Sequence, residues 1–188
     1  WLPLFHDMGL IGLLTIPMTT GLELVLGAPQ DFLAKPLRWM QWISDYGGTC
    51  TAGPNFSYVL ATRALRRAEG LDLSRMRTAL NGAEPVDADS FRAFAAEAAR
   101  FGFPDHALFP AFGMAEVCIA GVFPRPGSGL TTDVVDARVL ETERFAANAS
   151  PDNRHAKELA ILGTAIPGLN IRVVDPTTGR ECRAREVG

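Results

Sequence analysis

The sequence is poor in cysteine. Cys50, Cys118 and Cys182 lie far apart, their number is odd, and no CxxC pair occurs. This pattern argues against a disulfide framework and against a cysteine-rich zinc site, and it is typical of a reducing compartment. We therefore predict a cytoplasmic protein with free thiols.

Positive charge is also scarce. The formal net charge is -3, from 18 Lys and Arg against 21 Asp and Glu. The densest basic group, Arg63, Arg66 and Arg67, falls at the end of a predicted helix, where cations favour the helix dipole. Because binding to nucleic acid needs a concentrated cationic surface, we predict no nucleic-acid partner.

Only one apolar stretch, residues 8–28, approaches the length of a membrane span. Pro17, Glu23 and three threonines interrupt it. We predict no transmembrane segment, and expect a short buried helix followed by a strand in this region.

Apolar strands and amphipathic helices alternate along the chain, and no internal repeat is present. We predict helices over 7–16, 36–46, 54–70 and 88–101, and strands over 22–26, 49–52, 77–81, from 108, 159–162 and 170–174. Residues 131–160 hold most of the irregular, charged and Asn-rich sequence. This order predicts an α/β fold with a layered, largely parallel sheet and flanking helices.

Three loops combine small residues with functional groups: FHDMG at 5–9, NGAEP at 81–85 and AFGMAE at 111–116. Ligands of open α/β sheets bind beyond the carboxyl ends of the strands, so we expect these loops to meet. His6 precedes a predicted helix and could donate to a carboxylate or phosphate; the alternative is a buried histidine satisfied by a backbone carbonyl. Asp7 is predicted to be the helix N-cap.

The other two loops could accommodate a flat ligand and a metal ion. Gly82 and Ala83 would let a ring lie against the backbone, although a strand-to-helix turn alone would also require a glycine. Phe112 could stack on an aromatic ring, and Gly113 would allow close approach. Glu116 offers a hard oxygen ligand for Mg²⁺.

Taken together, WLPLFHDMGLIG (1–12), GPNFSY (53–58), NGAEPV (81–86) and FGMAE (112–116) resemble the adenylate-forming superfamily. That superfamily includes acyl-CoA synthetases, luciferases and peptide-synthetase adenylation domains. The chain is most similar to its fatty acyl-AMP ligase branch, over all 188 residues. The resemblance implies an AMP-binding domain that forms part of the large N-terminal domain of such an enzyme.

The resemblance also implies a reaction, its cofactors and its site residues. A fatty-acid carboxylate attacks the α-phosphate of ATP in the presence of Mg²⁺, and the acyl-adenylate passes to an acyl carrier protein or polyketide synthase. By this resemblance His6 and Glu116 are catalytic, and Glu116 ligates the metal. The implied nucleotide-binding residues are Gly82, Ala83, Glu84, Phe112, Gly113, Met114 and Ala115. The implied acyl-pocket residues are Gly53, Pro54, Asn55 and Phe56.

Three features distinguish the chain within the superfamily. Phe112 stands where most members have tyrosine, and Ala115 stands where most have threonine; the alanine is similar to the acyl-AMP ligase branch. The stretch between Glu116 and GTAIPGLNIRVVDPTTG (163–179) is also longer than expected for CoA ligases. Residues 131–158 are therefore a candidate branch-specific insertion associated with failure to use coenzyme A, with a variable surface loop as the alternative.

The resemblance leads us to expect further sequence on both sides. A phosphate-binding loop would precede Trp1, and the ribose-binding aspartate, the hinge and a C-terminal domain with the catalytic lysine would follow Gly188. We therefore predict that the 188 residues alone form no adenylate. The leading function is activation of a long-chain fatty acid to its acyl-adenylate. A fatty acyl-CoA ligase, a non-catalytic adenylate or acyl binder, and a purely structural domain remain the alternatives.

Overall fold

A computed structural model describes residues 1–188 and shows a three-stranded parallel sheet at the centre of the fold. Its strands are β1 (Cys50–Gly53), β2 (Thr78–Asn81) and β3 (Leu108–Pro110), in the order β1-β2-β3. Gly53 lies opposite Asn81, and Asn81 lies opposite Pro110. All three strands therefore end at one edge of the sheet, and the predicted α/β fold with a parallel sheet is confirmed.

Helices flank this sheet. They are α1, which is π-helical over Met8–Thr15 and α-helical over Ile16–Thr20, then α2 (Pro29–Ala34), α3 (Leu37–Tyr46), α4 (Asn55–Leu65) and α5 (Ala88–Ala98). Helix α5 is capped at both ends: the Asp87 carboxylate accepts from the N–H groups of Asp89 and Ser90, and Gly102 ends the following 3-10 turn with φ 82°. None of the helices combines the length and the apolar sequence needed to cross a bilayer.

The main core of 18 buried residues packs α3, α4 and α5 against the sheet. Tyr58 lies at its centre, with ring centroids 4.7 Å from Phe91 and 5.0 Å from Phe94. Its hydroxyl donates to the Leu80 carbonyl oxygen at 2.7 Å, so a buried polar group is satisfied. Phe91, Phe94, Ala95 and Ala98 form the apolar face of α5 and belong to this core.

Residues 131–158 are more regular than predicted. They contain β5 (Thr132–Asp136), the helix α6 (Ala137–Glu143) and the start of β6 (Ala156–Ala160), which pairs antiparallel with β5. The polar residues that suggested irregular sequence form caps: the Asp136 carboxylate accepts from the N–H groups of Arg138 and Val139 at the start of α6. A second antiparallel pair joins β4 (Val122–Phe123) to β7 (Thr164–Ala165).

Two predicted strands are wrong. Residues 22–26 form no strand and belong to no sheet, and Leu22 is 62% exposed. Residues 170–174 make only an isolated bridge between Val174 and Glu181. In both segments the apolar residues favour a strand, but a strand forms only where a partner supplies hydrogen bonds. Helix α4 also ends at Leu65 rather than Gly70, and the predicted strand 159–162 lies at 156–160.

An ion pair joins the β5–β6 unit to α5. The Arg92 guanidinium contacts both carboxylate oxygens of Glu158, which also accepts from the Thr132 hydroxyl. The hydrogen bond from Arg92, then that from Thr132, lowers the pKa of Glu158. A carboxyl whose folded pKa is lowered stabilises the fold above its unfolded pKa, and this contribution is lost as pH falls through the folded pKa.

We predict that Glu158→Gln speeds hydrogen exchange of the β5–β6 amides in the complete protein at pH 7. Because the ion pair is partly solvated, the loss of local stability should not exceed about 1 kcal/mol. Below the folded pKa of Glu158 the wild-type protein also carries a neutral side chain, so the difference between the two proteins should vanish. A difference that persists at that acidic pH would contradict the ion-pair explanation.

Candidate functional site

A cavity of about 670 Å³ lies between α1, one face of the parallel sheet and the loops that follow the strands. Its walls are largely apolar, with contributions from Met8, Leu13 and Ile16 of α1 and from Ala52 and Leu80 of the sheet. A concave, mostly apolar space with a few polar groups at one end is typical of small-molecule sites.

Seven predicted site residues line this cavity: His6, Gly82, Ala83, Phe112, Gly113, Met114 and Ala115. Six do not line it: Gly53, Pro54, Asn55, Phe56, Glu84 and Glu116. The structure therefore brings the three loops together at the carboxyl edge of the sheet. It places the residues expected to form the acyl pocket elsewhere.

His6 lies at the entrance to α1. Its Nδ1 is 2.8 Å from the Asp7 carboxylate, and the same carboxylate caps the helix by accepting from the Met8 N–H at 2.7 Å. The predicted N-cap is thus confirmed. The His6 side chain is 51% exposed and contacts no backbone carbonyl, so the interpretation as a buried structural histidine is wrong. His6 Nδ1 also accepts from the Met8 N–H at 3.2 Å, while Nε2 makes no hydrogen bond within the protein.

The NGAEP loop needs its small residues for backbone reasons. A Cβ on Gly82 would lie 2.9 Å from the Ala111 carbonyl oxygen, and Ala83 has φ 72°. The structural interpretation of the glycine is therefore correct, and the loop still borders the cavity. Glu84 does not line the cavity. Its carboxylate accepts instead from the Asn55 N–H at 3.0 Å. That N–H belongs to the first turn of α4, where an anion is favourable.

The AFGMAE loop forms a tight turn against the cavity. A Cβ on Gly113 would lie 1.5 Å from the Ile119 carbonyl oxygen, so protein backbone rather than a ligand demands this glycine. Phe112 is 41% exposed, and its backbone pairs with Val122. Cys118 and Ile119 have φ 55° and 80°, a conformation that non-glycine residues adopt at a cost.

Sequence reasoning missed the wall of the cavity that the β-sheet forms. Along β2, Thr78, Leu80 and then Gly82 line it, while Ala79 and Asn81 are buried on the other side. This alternation is the two-residue period of a strand, and it could have revealed the wall from the sequence. Cys50 also lines the cavity, and desolvation raises the pKa of its thiol, which therefore stays neutral at pH 7.

The residues predicted to form the acyl pocket have other contacts. Gly53 packs tightly, since a Cβ there would lie 2.3 Å from the Ser57 hydroxyl. Phe56 lies beside Trp1 and Phe32, with both ring centroids 6.4 Å away. Asn55 bonds to the loop that contains Gly82 and Ala83.

The structure contains no group of three or more His, Cys, Asp or Glu residues that could hold a metal ion. Glu116 is exposed in a 3-10 turn, Ala115–Val117, just outside the cavity lining. Mg²⁺ that arrives with nucleotide phosphates needs only one or two protein carboxylates. A single carboxylate beside the Phe112 loop fits that donor set and would not form a resident metal site by itself.

A histidine, a glycine loop and an aromatic loop meet beside the carboxyl edge of the parallel sheet. This arrangement defines an α/β ligand-binding domain. The chain belongs to the AMP-binding enzyme family, whose model matches residues 1–188. This confirms the superfamily that the motifs indicated.

The relatives extend this finding. The Mycobacterium tuberculosis protein Rv1013 is 44% identical over all of this chain and 35% of its own length. The medium-chain-fatty-acid--[acyl-carrier-protein] ligase JamA of Moorena producens is 36% identical over all of this chain and 32% of its own. A fatty acid AMP ligase structure from Legionella pneumophila superposes with a TM-score of 0.93 at 32% identity, covering 99% of this chain and 32% of that one. The chain spans about a third of the length of these relatives.

Proposed function

We propose that the complete protein is a fatty acyl-AMP ligase. One observation carries the proposal: the nucleotide-loop residues Gly82, Ala83 and Phe112 and an apolar channel border the same cavity. An adenylate with an acyl tail needs both, joined where the carboxylate meets the α-phosphate. The names of the relatives, a fatty-acid ligase and a fatty acid AMP ligase, agree with this chemistry.

In the proposed reaction a carboxylate oxygen of the fatty acid attacks the α-phosphorus of ATP. The bond from that phosphorus to the bridging oxygen breaks, and pyrophosphate leaves with the electron pair. Such a displacement depends on alignment and charge neutralisation rather than on covalent help from the protein. His6, whose Nδ1 accepts from the Met8 N–H, would donate through Nε2 to an oxygen at the junction. The adenine would lie between the 82–83 backbone and the Phe112 loop.

The acyl chain is assigned to the wall formed by α1 and the faces of β1 and β2. Gly53, Pro54, Asn55 and Phe56 are not retained as channel residues, because none of them borders the cavity. Mg²⁺ would arrive with ATP and supply positive charge at the phosphates, with Glu116 as a protein ligand.

The acceptor and the branch are further parts of the proposal. The relative JamA is named for an acyl carrier protein, which supports such a carrier, or a polyketide synthase bearing one, as acceptor. The β5–α6–β6 unit over residues 131–158 is proposed as the branch-specific insertion within a partial AMP-binding domain. Both long-chain and medium-chain acids remain candidate substrates, since the relatives are named for both. A cytoplasmic location remains a prediction from the three free cysteines.

Product analysis of the complete protein with ATP, Mg²⁺, a fatty acid and coenzyme A tests the proposal. We expect acyl-AMP and pyrophosphate without acyl-CoA. Efficient acyl-CoA formation would identify the alternative, a fatty acyl-CoA ligase. Absence of nucleotide binding would identify a purely structural domain.

We further predict that Glu116→Gln slows adenylation by about 100-fold, the typical cost of removing one charge-stabilising group from such a site. The measurement is ATP–pyrophosphate exchange in the complete protein, with melting temperature as the check on folding. A variant that keeps the biological activity of the wild type would instead favour a non-catalytic binder of adenylates.

A further inference from the structure

Asn55 connects α4 to the loop that borders the nucleotide end of the cavity. Its Oδ1 accepts from Asn81 Nδ2 and from the Asp87 N–H, both at 3.0 Å. Its Nδ2 donates to the Pro85 carbonyl oxygen at 2.8 Å, and its own N–H donates to Glu84 at 3.0 Å. One residue therefore makes four hydrogen bonds to the segment 81–87.

These bonds bracket the two residues that border the cavity. Asn81 lies immediately before Gly82 and Ala83, whereas Glu84, Pro85 and Asp87 lie after them. Ala83 itself has φ 72°, which an alanine does not adopt without support from its surroundings. Asn55 holds both ends of the strained stretch while remaining outside the cavity.

The buried amide of Asn81 makes the conformation of the 82–83 loop more dependent on Asn55. Its side chain is fully buried, and its Oδ1 has no hydrogen-bond partner. The bond from Nδ2 to Asn55 is therefore the only one that its amide makes. Without Asn55 the whole buried amide would be unpaired, a state that folded proteins avoid by rearranging. The rearrangement would begin one residue before Gly82.

We propose that Asn55 is a positioning residue for the nucleotide, which fixes the backbone of Gly82 and Ala83 without touching ATP. This inference rests on the proposed adenylation function and deepens it. It replaces the sequence-based expectation that Asn55 lines the acyl pocket. It also explains the contact of Glu84, whose carboxylate ties the far side of the loop to the start of α4.

The test compares Asn55→Ala, Asn55→Asp and Tyr58→Phe in the complete protein. Asn55→Ala removes the three side-chain bonds. Asn55→Asp keeps the acceptor for Asn81 and Asp87 but replaces the donor to Pro85 with a carboxylate oxygen beside that carbonyl. Tyr58→Phe is the matched control on the same helix, since it removes one buried hydrogen bond to Leu80 and none to the loop.

We expect Asn55→Ala to raise the KM for ATP about tenfold, equivalent to about 1.4 kcal/mol, and to change the KM for the fatty acid less than about twofold. Asn55→Asp should lie between Asn55→Ala and wild type. Tyr58→Phe should lower the melting temperature and leave the KM for ATP unchanged.

Equal increases in both KM values, or a lower melting temperature with an unchanged KM for ATP, would overturn the proposal. If Asn55→Ala fails to fold, the KM values of Asn55→Asp and Glu84→Ala for ATP and for the fatty acid test the proposal instead. Calorimetric titration with ATP alone separates this inference from the function itself. A wild-type protein that binds ATP but activates no acid would refute the proposed function, and the ATP affinity of the variants would still decide the role of Asn55.

Discussion

Replacing Gly113 by alanine should reduce adenylation by the complete protein by at least about 100-fold, the usual cost of misplacing site groups by about 1 Å. The new Cβ would lie 1.5 Å from the Ile119 carbonyl oxygen, which is backbone and cannot rotate away. Either residue 113 or the 118–120 segment must move. Both border the cavity, as does the Phe112 ring beside them. ATP–pyrophosphate exchange measures the loss.

The effect should be local because the loop is held at its base. Phe112 and Val122 exchange two backbone hydrogen bonds, at 3.1 and 2.9 Å, which the substitution does not touch. Overpacking of this kind costs about 1–3 kcal/mol, so the melting temperature should fall by only a few degrees.

Gly48→Ala is the matched control for Gly113→Ala. A Cβ at residue 48 would meet its nearest atoms, in Ile43, at 3.5 Å, which is an ordinary contact. Gly48 precedes β1 and so lies at the opposite edge of the sheet from the Phe112 loop. Its activity should equal that of the wild type. A Gly113→Ala protein with wild-type activity would show that the close approach of residues 113 and 119 is not needed for the site.

The sequence predicts where the three loops meet because parallel strands share one carboxyl edge. The strand over 77–81 and its loop illustrate this, since Asn81 ends β2 as expected and Gly82 enters the cavity. The glycine requirements were less predictable. Gly82 and Gly113 avoid carbonyl oxygens of Ala111 and Ile119, and such approaches depend on how distant backbone segments pack.

The position of residues 53–56 outside the cavity lining has a related cause. Residues 53–56 follow β1 directly and so lie at the correct edge, but the direction of α4 decides what they contact. That helix packs against α5, which turns Asn55 toward segment 81–87 and away from the cavity. Composition alone was also misleading in 131–158, where Asp136 caps a helix. Local sequence predicts helices and strands. Which side chains they turn toward the cavity depends on contacts between residues far apart in the chain.

The depth of the channel can be estimated from the strands. Cys50 and Thr78 are paired at the start of β1 and β2, and both line the cavity. Thr78 lies four residues from Gly82, which corresponds to about 13 Å at about 3.3 Å per residue. A carbon–carbon bond is about 1.5 Å long, so a length of about 13 Å accommodates an extended acyl chain of at least about eight bonds between the nucleotide loop and this end.

We predict that Cys50→Trp shortens the acids that the complete protein accepts. The indole would fill the end of the channel remote from the nucleotide loop, so long acids should lose at least about tenfold in kcat/KM. Short acids, whose chains do not reach β1's first residue, should retain their rates. Pyrophosphate release across a series of acids of increasing length measures the change in preference.

The matched control is Cys182→Trp, which makes the same substitution at a cysteine outside the cavity lining. It should leave the chain-length profile unchanged. Because the proposed adenine site lies at the opposite end of the cavity, the KM for ATP should be unaffected in Cys50→Trp as well. A uniform loss over all acids, or a raised KM for ATP, would contradict the assignment of the channel end to Cys50 and Thr78. Selective loss of the longest acids would support the path of the acyl chain along the face of β1 and β2.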